Sequence, residues 1–174
     1  MRKPLFTITM ILQSELIRLR KAVNSCDMLN EHVSAAPIGW HINHAIKVIQ
    51  AVCEQLHESN PAQYTWNFNL KRNYAFIRGS FPRGKGHAPR IVRPTIALTH
   101  KELIRELDEI ERFLETIDTL PKNCFFSHPF FGDLNVKNAI VFMKIHTVHH
   151  LKIIDEIEYS CLYSIDSVQN EIQV

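Results

Sequence analysis

The chain has 174 residues, of which 45% are hydrophobic and 22% are charged, and its formal net charge is +2. This length and composition predict one soluble globular domain that spans residues 1–174. They exclude a membrane span, since no stretch approaches the roughly 20 apolar residues that one requires, and so small a net charge does not by itself indicate a nucleic-acid partner.

Four stretches with apolar residues at helical spacing are predicted to form helices. They cover residues 8–26, 38–58, 99–120 and 136–159. Thr99, with Glu102 three residues later, forms a capping box at the start of the third stretch, and Asn135 is a good N-cap for the fourth. Four amphipathic helices with one long loop between the second and the third predict an all-α fold, an up-down four-helix bundle.

The long connection, residues 60–98, differs in charge from the rest of the chain. Between Ser59 and Lys101 there is no Asp or Glu. Seven basic residues lie in that interval: Lys71, Arg72, Arg78, Arg83, Lys85, Arg90 and Arg93. A connection this long inside a compact domain is usually functional or without fixed structure. We expect an irregular loop, with a short strand or a helical turn within residues 64–77.

Cysteine usage and the first residues bear on the compartment. Four cysteines are far apart and form no CxxC pair: Cys26, Cys53, Cys124 and Cys161. This pattern indicates neither a disulfide framework nor a structural zinc site, and free thiols suit a reducing compartment. The start of the chain, "MRKPLFTITMILQSEL", lacks a small-residue cleavage site. We therefore predict a cytoplasmic protein without a signal peptide.

Three of the ten histidines lie within five positions on the fourth predicted helix. At about 100° per residue, His146 and His150 share the middle of its apolar stripe, while His149 lies at the edge of that stripe. Two histidines four residues apart can direct their nitrogens at one ion. The alternative is two buried histidines with separate hydrogen-bond partners. We rank it second because both rings would need those partners within one apolar stripe.

A third ligand is expected from a facing helix. The second predicted helix offers His41 and His44 in "GWHINH". His41 lies near the centre of the apolar stripe of that helix, and His44 lies at its margin, beside Trp40. Periodicity therefore leaves both histidines open as the ligand, with the other supporting the site from behind.

Three ordered segments, "GWHINH", "HPFFGDLN" and "HTVHH", together resemble the DinB/YfiT-like superfamily, in particular its bacterial branch with an HP-FFG-L segment. The resemblance spans roughly residues 37–157 and implies a four-helix bundle. It also implies that the second histidine of the first segment, His44, binds a divalent metal together with His146 and His150. Three imidazoles would hold Zn(II), Ni(II) or Fe(II) and leave positions open. Trp40, His41 and His149 would then surround the site.

The resemblance also bears on activity. Characterised relatives include transferases and isomerases that use low-molecular-weight thiols, and some relatives are thought to be hydrolases. The chain is therefore expected to be a metal-dependent enzyme of the thiol-dependent transferase or hydrolase type, with an unknown substrate. The carboxylate nearest to the histidine pair in sequence, Asp155, is predicted to lie on the opposite side of the helix, which weakens the hydrolase hypothesis. A metal-binding protein without catalysis is the alternative.

The basic connection suggests what the site binds. Arg72 and Lys85 are predicted to bind the carboxylates of an anionic small molecule, a substrate or a thiol cofactor. Trp66, Tyr74 or Phe76 is predicted to form a wall beside it. A solvated basic loop is an equally weighted alternative. A nucleic-acid-binding module is a weaker one, because it does not explain a buried histidine pair.

The fourth predicted helix is apolar on more than one side. Five apolar residues point away from the two stripe histidines: Ile140, Val141, Ile145, Val148 and Leu151. This breadth predicts packing on both sides of the helix, and we interpret it as the sign of a homodimer. The segment "HPFFGDLN" before the helix is predicted to form a turn at Pro129 and Gly132, anchored by its phenylalanines, which makes a site role for His128 the weaker interpretation.

Overall fold

The computed structural model describes residues 8–81 and 92–171, with side chains described for residues 10–81 and 92–161. The described chain is mostly helical. Its helices are α1 (Ile8–Ala22), α2 (Ile38–Glu58), α3 (Leu70–Arg78), α4 (His100–Ile117) and α5 (Val136–Glu171), with short 3-10 turns at Val23–Ser25 and Pro61–Gln63. None of the described helices combines the length and apolar character needed to cross a bilayer. The four predicted helices are present as α1, α2, α4 and α5, and α5 extends beyond its predicted end.

Local capping explains where α4 and α5 begin. The Thr99 hydroxyl accepts a hydrogen bond from the Glu102 amide at 3.3 Å, and the Glu102 carboxylate accepts one from the Thr99 amide at 2.8 Å. This is the predicted capping box. At the start of α5, the Asn135 side chain accepts a hydrogen bond from the Asn138 amide at 3.1 Å. Both caps satisfy amides that would otherwise lack partners in the first helical turn.

The two helices that carry most of the clustered histidines, α2 and α5, pack directly against each other. α2 also packs on α4, and α1 packs on both α4 and α5. Aliphatic side chains fill the space between them, including the fully buried Leu16, Leu19, Ile42, Ile49, Leu107 and Leu114. Each such side chain contributes about 1.5–3 kcal/mol when it is fully buried. The core therefore holds α2 and α5 in a fixed relation.

The second apolar side of α5 is covered within the chain itself. Ile140, Ile145 and Leu151 are buried, Val141 and Val148 are half-buried, and α1 lies along α5. The apolar breadth of this helix therefore requires no second copy of the chain. A homodimer stays a prediction. The apolar breadth of α5, from which it was inferred, is explained by packing within the chain.

Residues 125–135 form a two-stranded hairpin, which the sequence did not predict and which adds a small sheet to the mostly helical fold. Strand β1 (Phe125–His128) pairs antiparallel with β2 (Gly132–Asn135), and His128 lies opposite Gly132. The turn between them is closed by the His128 ring, whose Nδ1 accepts the amides of Phe130 and Phe131 at 3.1 and 3.3 Å. Gly132 has a φ of 70°, a left-handed conformation that favours glycine. The predicted turn is thus part of a hairpin.

The connection between α2 and α4 contains α3 where a long irregular loop was expected. The Asn69 side chain accepts a hydrogen bond from the Arg72 amide at 2.9 Å and caps the helix. Gly79 ends it in the left-handed conformation, with a φ of 62°. Of the short strand or helical turn expected within residues 64–77, the structure has a helix, which ends at Arg78. Lys85 lies outside the described residues.

Candidate metal centre

Helices α2 and α5 bring His44, His146 and His150 together. One nitrogen from each ring lies within 4.8 Å of the nitrogens of the other two. The ring centroids are 5.1 Å apart for His44 and His146, 4.8 Å for His44 and His150, and 4.7 Å for His146 and His150. The arrangement places the i, i+4 pair of α5 opposite a single histidine of α2. These are the three ligands that the family resemblance implied, and as a group they could hold a metal ion.

The orientation of His44 is fixed by a backbone carbonyl. Its Nδ1 lies 2.7 Å from the carbonyl oxygen of Val92. Because a carbonyl only accepts, Nδ1 must donate, and the lone pair of a neutral ring is then on Nε2. The Trp40 ring stacks on His44 with the centroids 5.0 Å apart. A histidine that donates one ring N–H to a fixed acceptor is oriented as metal-binding histidines usually are.

His41 lies behind His150 and outside the group of three. The two Nδ1 atoms are 3.0 Å apart, and His41 Nε2 lies 2.9 Å from the Ser34 hydroxyl. Both imidazoles are buried. Helical periodicity left both histidines open. In the structure His44 belongs to the group of three, whereas His41 contacts a member of that group, His150.

His146 completes the group with an unsatisfied nitrogen. The residue is half-buried, but its Nδ1 is fully buried and has no hydrogen-bond partner among the described residues. Buried polar atoms without a partner are rare and call for an explanation. An unpaired nitrogen in a ring that faces two other imidazoles fits the presence of a cation, so the residues present are suited to a divalent metal.

Burial keeps the three rings neutral. Desolvation lowers the pKa of His44, and the hydrogen bond to Val92 only partly opposes this effect. Desolvation also lowers the pKa of His146 well below its usual range, and it strongly lowers the pKa of His150, with the neighbouring histidines adding to both shifts. Neutral imidazole is the form that binds metal, so the site is ready for an ion at neutral pH.

Aromatic rings surround the cluster. The Phe142 ring lies 5.9 Å from the His146 ring, the Phe81 ring lies 6.4 Å from it, and the two phenylalanine rings are 5.9 Å from each other. His149 is half-buried, with its ring 5.2 Å from that of His150 and 6.3 Å from Phe81, which matches its predicted place at the edge of the stripe. Phe81 and Phe142 therefore form an apolar wall beside the cluster.

The carboxylate nearest to the pair in sequence does not face it. Asp155 forms an ion pair with Arg18 of α1, with 2.6 Å between the charged atoms, and both side chains are substantially exposed. Within the described residues, the group assembled for metal binding consists of histidines. This agrees with the predicted position of Asp155 on the opposite side of the helix and indicates a site that relies on imidazoles.

The structure gives two of the predicted substrate-binding residues other partners. The guanidinium of Arg72 is buried and donates to the Asn67 carbonyl at 2.6 Å and to the Phe131 carbonyl at 3.5 Å. Tyr74 is exposed on α3 and accepts a hydrogen bond from Arg78 at 2.9 Å. Arg72 therefore ties the residues before α3 to the hairpin.

This placement predicts that Arg72→Ala lowers the free energy of unfolding by about 2 kcal/mol, because it removes a buried guanidinium that donates to the Asn67 and Phe131 carbonyl groups. Urea denaturation measures the change. The matched control is Tyr74→Ala, an exposed substitution on the same helix that should change stability by less than about 0.5 kcal/mol. Equal stability of the Arg72 variant and the parent protein would show that the guanidinium is free for another role.

Sequence reasoning did not identify three residues that touch the cluster or its support. Val92 acts through its backbone carbonyl, which no side-chain pattern reveals. Phe81 lies in the connection between α2 and α4. The several aromatic residues of that connection were the only sequence feature that could have suggested a contact with the site. Ser34 precedes α2, and its hydroxyl accepts a hydrogen bond from the Ala36 amide. Serine often stabilises a turn in this way, by bonding to the backbone two residues further on.

Comparison with known proteins agrees with this geometry. A model of the DinB superfamily matches residues 28–154, which include α2, the hairpin and the histidine-bearing part of α5. No curated protein and no solved structure matches the chain. The matched range contains all three histidines of the cluster and confirms the resemblance drawn from the three sequence segments.

Proposed function

Since the chain belongs to the DinB superfamily, we propose that it is a divalent-metal-binding protein that acts as a metal-dependent enzyme on a small molecule. The observation that carries the proposal is the group of three histidine nitrogens within 4.8 Å of one another. Three neutral imidazoles suit Zn(II), Ni(II) or Fe(II) and leave coordination positions for other groups.

Each histidine has a distinct part in the proposed site. His44 presents the lone pair of its Nε2, because its Nδ1–H is held by the Val92 carbonyl. His146 contributes a ring whose buried Nδ1 lacks another partner in the described part of the chain. A divalent ion held there would supply Lewis acidity. Trp40, Phe81 and Phe142 would exclude water and strengthen electrostatic interactions inside the site.

Of the two reaction types that the family suggests, thiol-dependent transfer is the better supported. Hydrolysis usually employs a general base beside the reacting water, and the Asp155 carboxylate is paired with Arg18 instead. A low-molecular-weight thiol needs no such base when the metal lowers its pKa. Arg72 and Arg78 have partners within the chain, so the proposal of an anionic substrate or thiol rests on the excess of basic residues between Ser59 and Lys101 in the sequence. A metal-binding protein without catalysis is the alternative that an activity screen would decide.

The wider setting of the site is part of the same proposal. We take α1, α2, α4 and α5 to form the up-down four-helix bundle of the family, within a single domain. Contacts of α2 and α1 with both α4 and α5 support that arrangement. The four cysteines are free, which supports a reducing, cytoplasmic location.

Metal content tests the proposal. We expect protein purified without chelators to carry about one divalent ion per chain by elemental analysis, or to take one up after dialysis against zinc, nickel or iron salts. The metal-loaded protein should then be screened for transfer of low-molecular-weight thiols, with the metal-free form as the control. A chain that holds no ion as purified and cannot be loaded would disprove the proposal.

A further inference from the structure

A line of hydrogen-bonding side chains runs from the metal cluster to the residues before α2. His150 Nδ1 lies 3.0 Å from His41 Nδ1, and His41 Nε2 lies 2.9 Å from the Ser34 hydroxyl. The hydroxyl also accepts the Ala36 amide at 3.1 Å, which fixes its position. His41 and His150 are both buried, so water does not readily replace the contact between their rings.

Two arrangements of protons satisfy these distances when both rings are neutral. A bond between two ring nitrogens needs one proton, so either His150 or His41 donates. If His150 donates from Nδ1, its lone pair is on Nε2. His41 then accepts at Nδ1 and donates a hydrogen bond from its Nε2–H to the Ser34 hydroxyl. If His41 donates, the His150 proton is on Nε2, and that ring has no lone pair left for an ion.

We propose that Ser34 and His41 are positioning residues that hold His150 in the form whose Nε2 lone pair is available to the metal. The inference rests on the proposed metal site and concerns the chain's own residues. In this arrangement His150 donates to His41, and His41 donates to Ser34. The Val92 carbonyl has the same role toward His44. A carbonyl always accepts, whereas His41 Nδ1 accepts from His150 only when the His41 proton is on Nε2.

A pair of variants of equal shape separates this role from simple packing. His41→Asn keeps an acceptor oxygen near the position of Nδ1, whereas His41→Leu has the same branching and no acceptor. We expect His41→Leu to weaken zinc binding about 10- to 100-fold, measured by competition with a chromophoric chelator. His41→Asn should recover most of that loss. Circular dichroism verifies that both variants fold.

NMR of the histidine ring nitrogens in the zinc-loaded protein provides a readout that a packing role would not change. In the parent protein, His150 should show zinc on Nε2 and a slowly exchanging proton on Nδ1. That proton should exchange rapidly in His41→Leu and remain protected in His41→Asn. If His41→Leu does not fold, Ser34→Ala and Ser34→Thr take its place, and only the alanine variant should bind zinc more weakly.

The outcomes distinguish this inference from the function on which it rests. Failure of the parent protein to bind zinc, nickel or iron would overturn the proposed function and the inference with it. Normal binding by the parent and equal affinities of His41→Leu and His41→Asn would overturn the inference alone. So would an NMR spectrum of the loaded parent protein with the His150 proton on Nε2.

Discussion

Alanine in place of His146 or His150 is expected to lower the affinity for a divalent ion by more than the roughly 100-fold that loss of a supporting residue costs. Each substitution removes one of three nitrogen donors, and two imidazoles at this separation leave most of the coordination shell to water. Chelator competition measures the affinity, and elemental analysis of the purified variants measures the ion that they retain. His44→Ala is expected to behave in the same way.

His149→Ala is the matched control for this prediction. His149 is half-buried on the same helix and touches the His150 ring, but it lies outside the group of three. This variant should keep its ion with little change in affinity. Retention of the ion at parental affinity by His146→Ala would remove His146 from the ligand set, and the unpaired Nδ1 would then need another explanation.

The helices were predictable because their signals are local. Thr99 and Glu102 are three residues apart, and the cap they form needs nothing from the rest of the fold. The hairpin was missed because it depends on distant contacts. A side chain at Gly132 would meet the Asn67 amide at 2.6 Å, and this proximity joins segments that are far apart in sequence. For α3, the caps Asn69 and Gly79 were present in the sequence but were outweighed by the length of the connection.

The site shows the same division between local and distant information. Helical periodicity identified His146 and His150, because their shared stripe depends only on spacing. It could not choose between His41 and His44. Burial in the structure does not separate them either, since both are 4% exposed. What separates them is contact with the distant Val92 carbonyl for one and with His150 for the other. Only the family resemblance supplied that choice in advance.

Without metal, the protein is expected to lose stability steeply as the pH falls below about 6.5, the ordinary value for histidine. Burial lowers the pKa of His128 to about 4, and it also lowers those of His44, His146 and His150 in the folded state. In this range the unfolded chain binds protons that the folded chain excludes. The stability from these groups is therefore complete above about 6.5 and is lost toward acid pH, by up to about 1.4 kcal/mol per pH unit for each group.

Urea denaturation of the metal-free protein between neutral pH and pH 4.5 measures this slope. His150→Leu should flatten the slope, because it removes one buried group that takes up a proton on unfolding. Saturating zinc should keep the protein stable to lower pH, since an ion that binds only the folded state adds to its stability and competes with protons for the same nitrogens. Equal slopes for the parent protein and His150→Leu would contradict a neutral, buried His150.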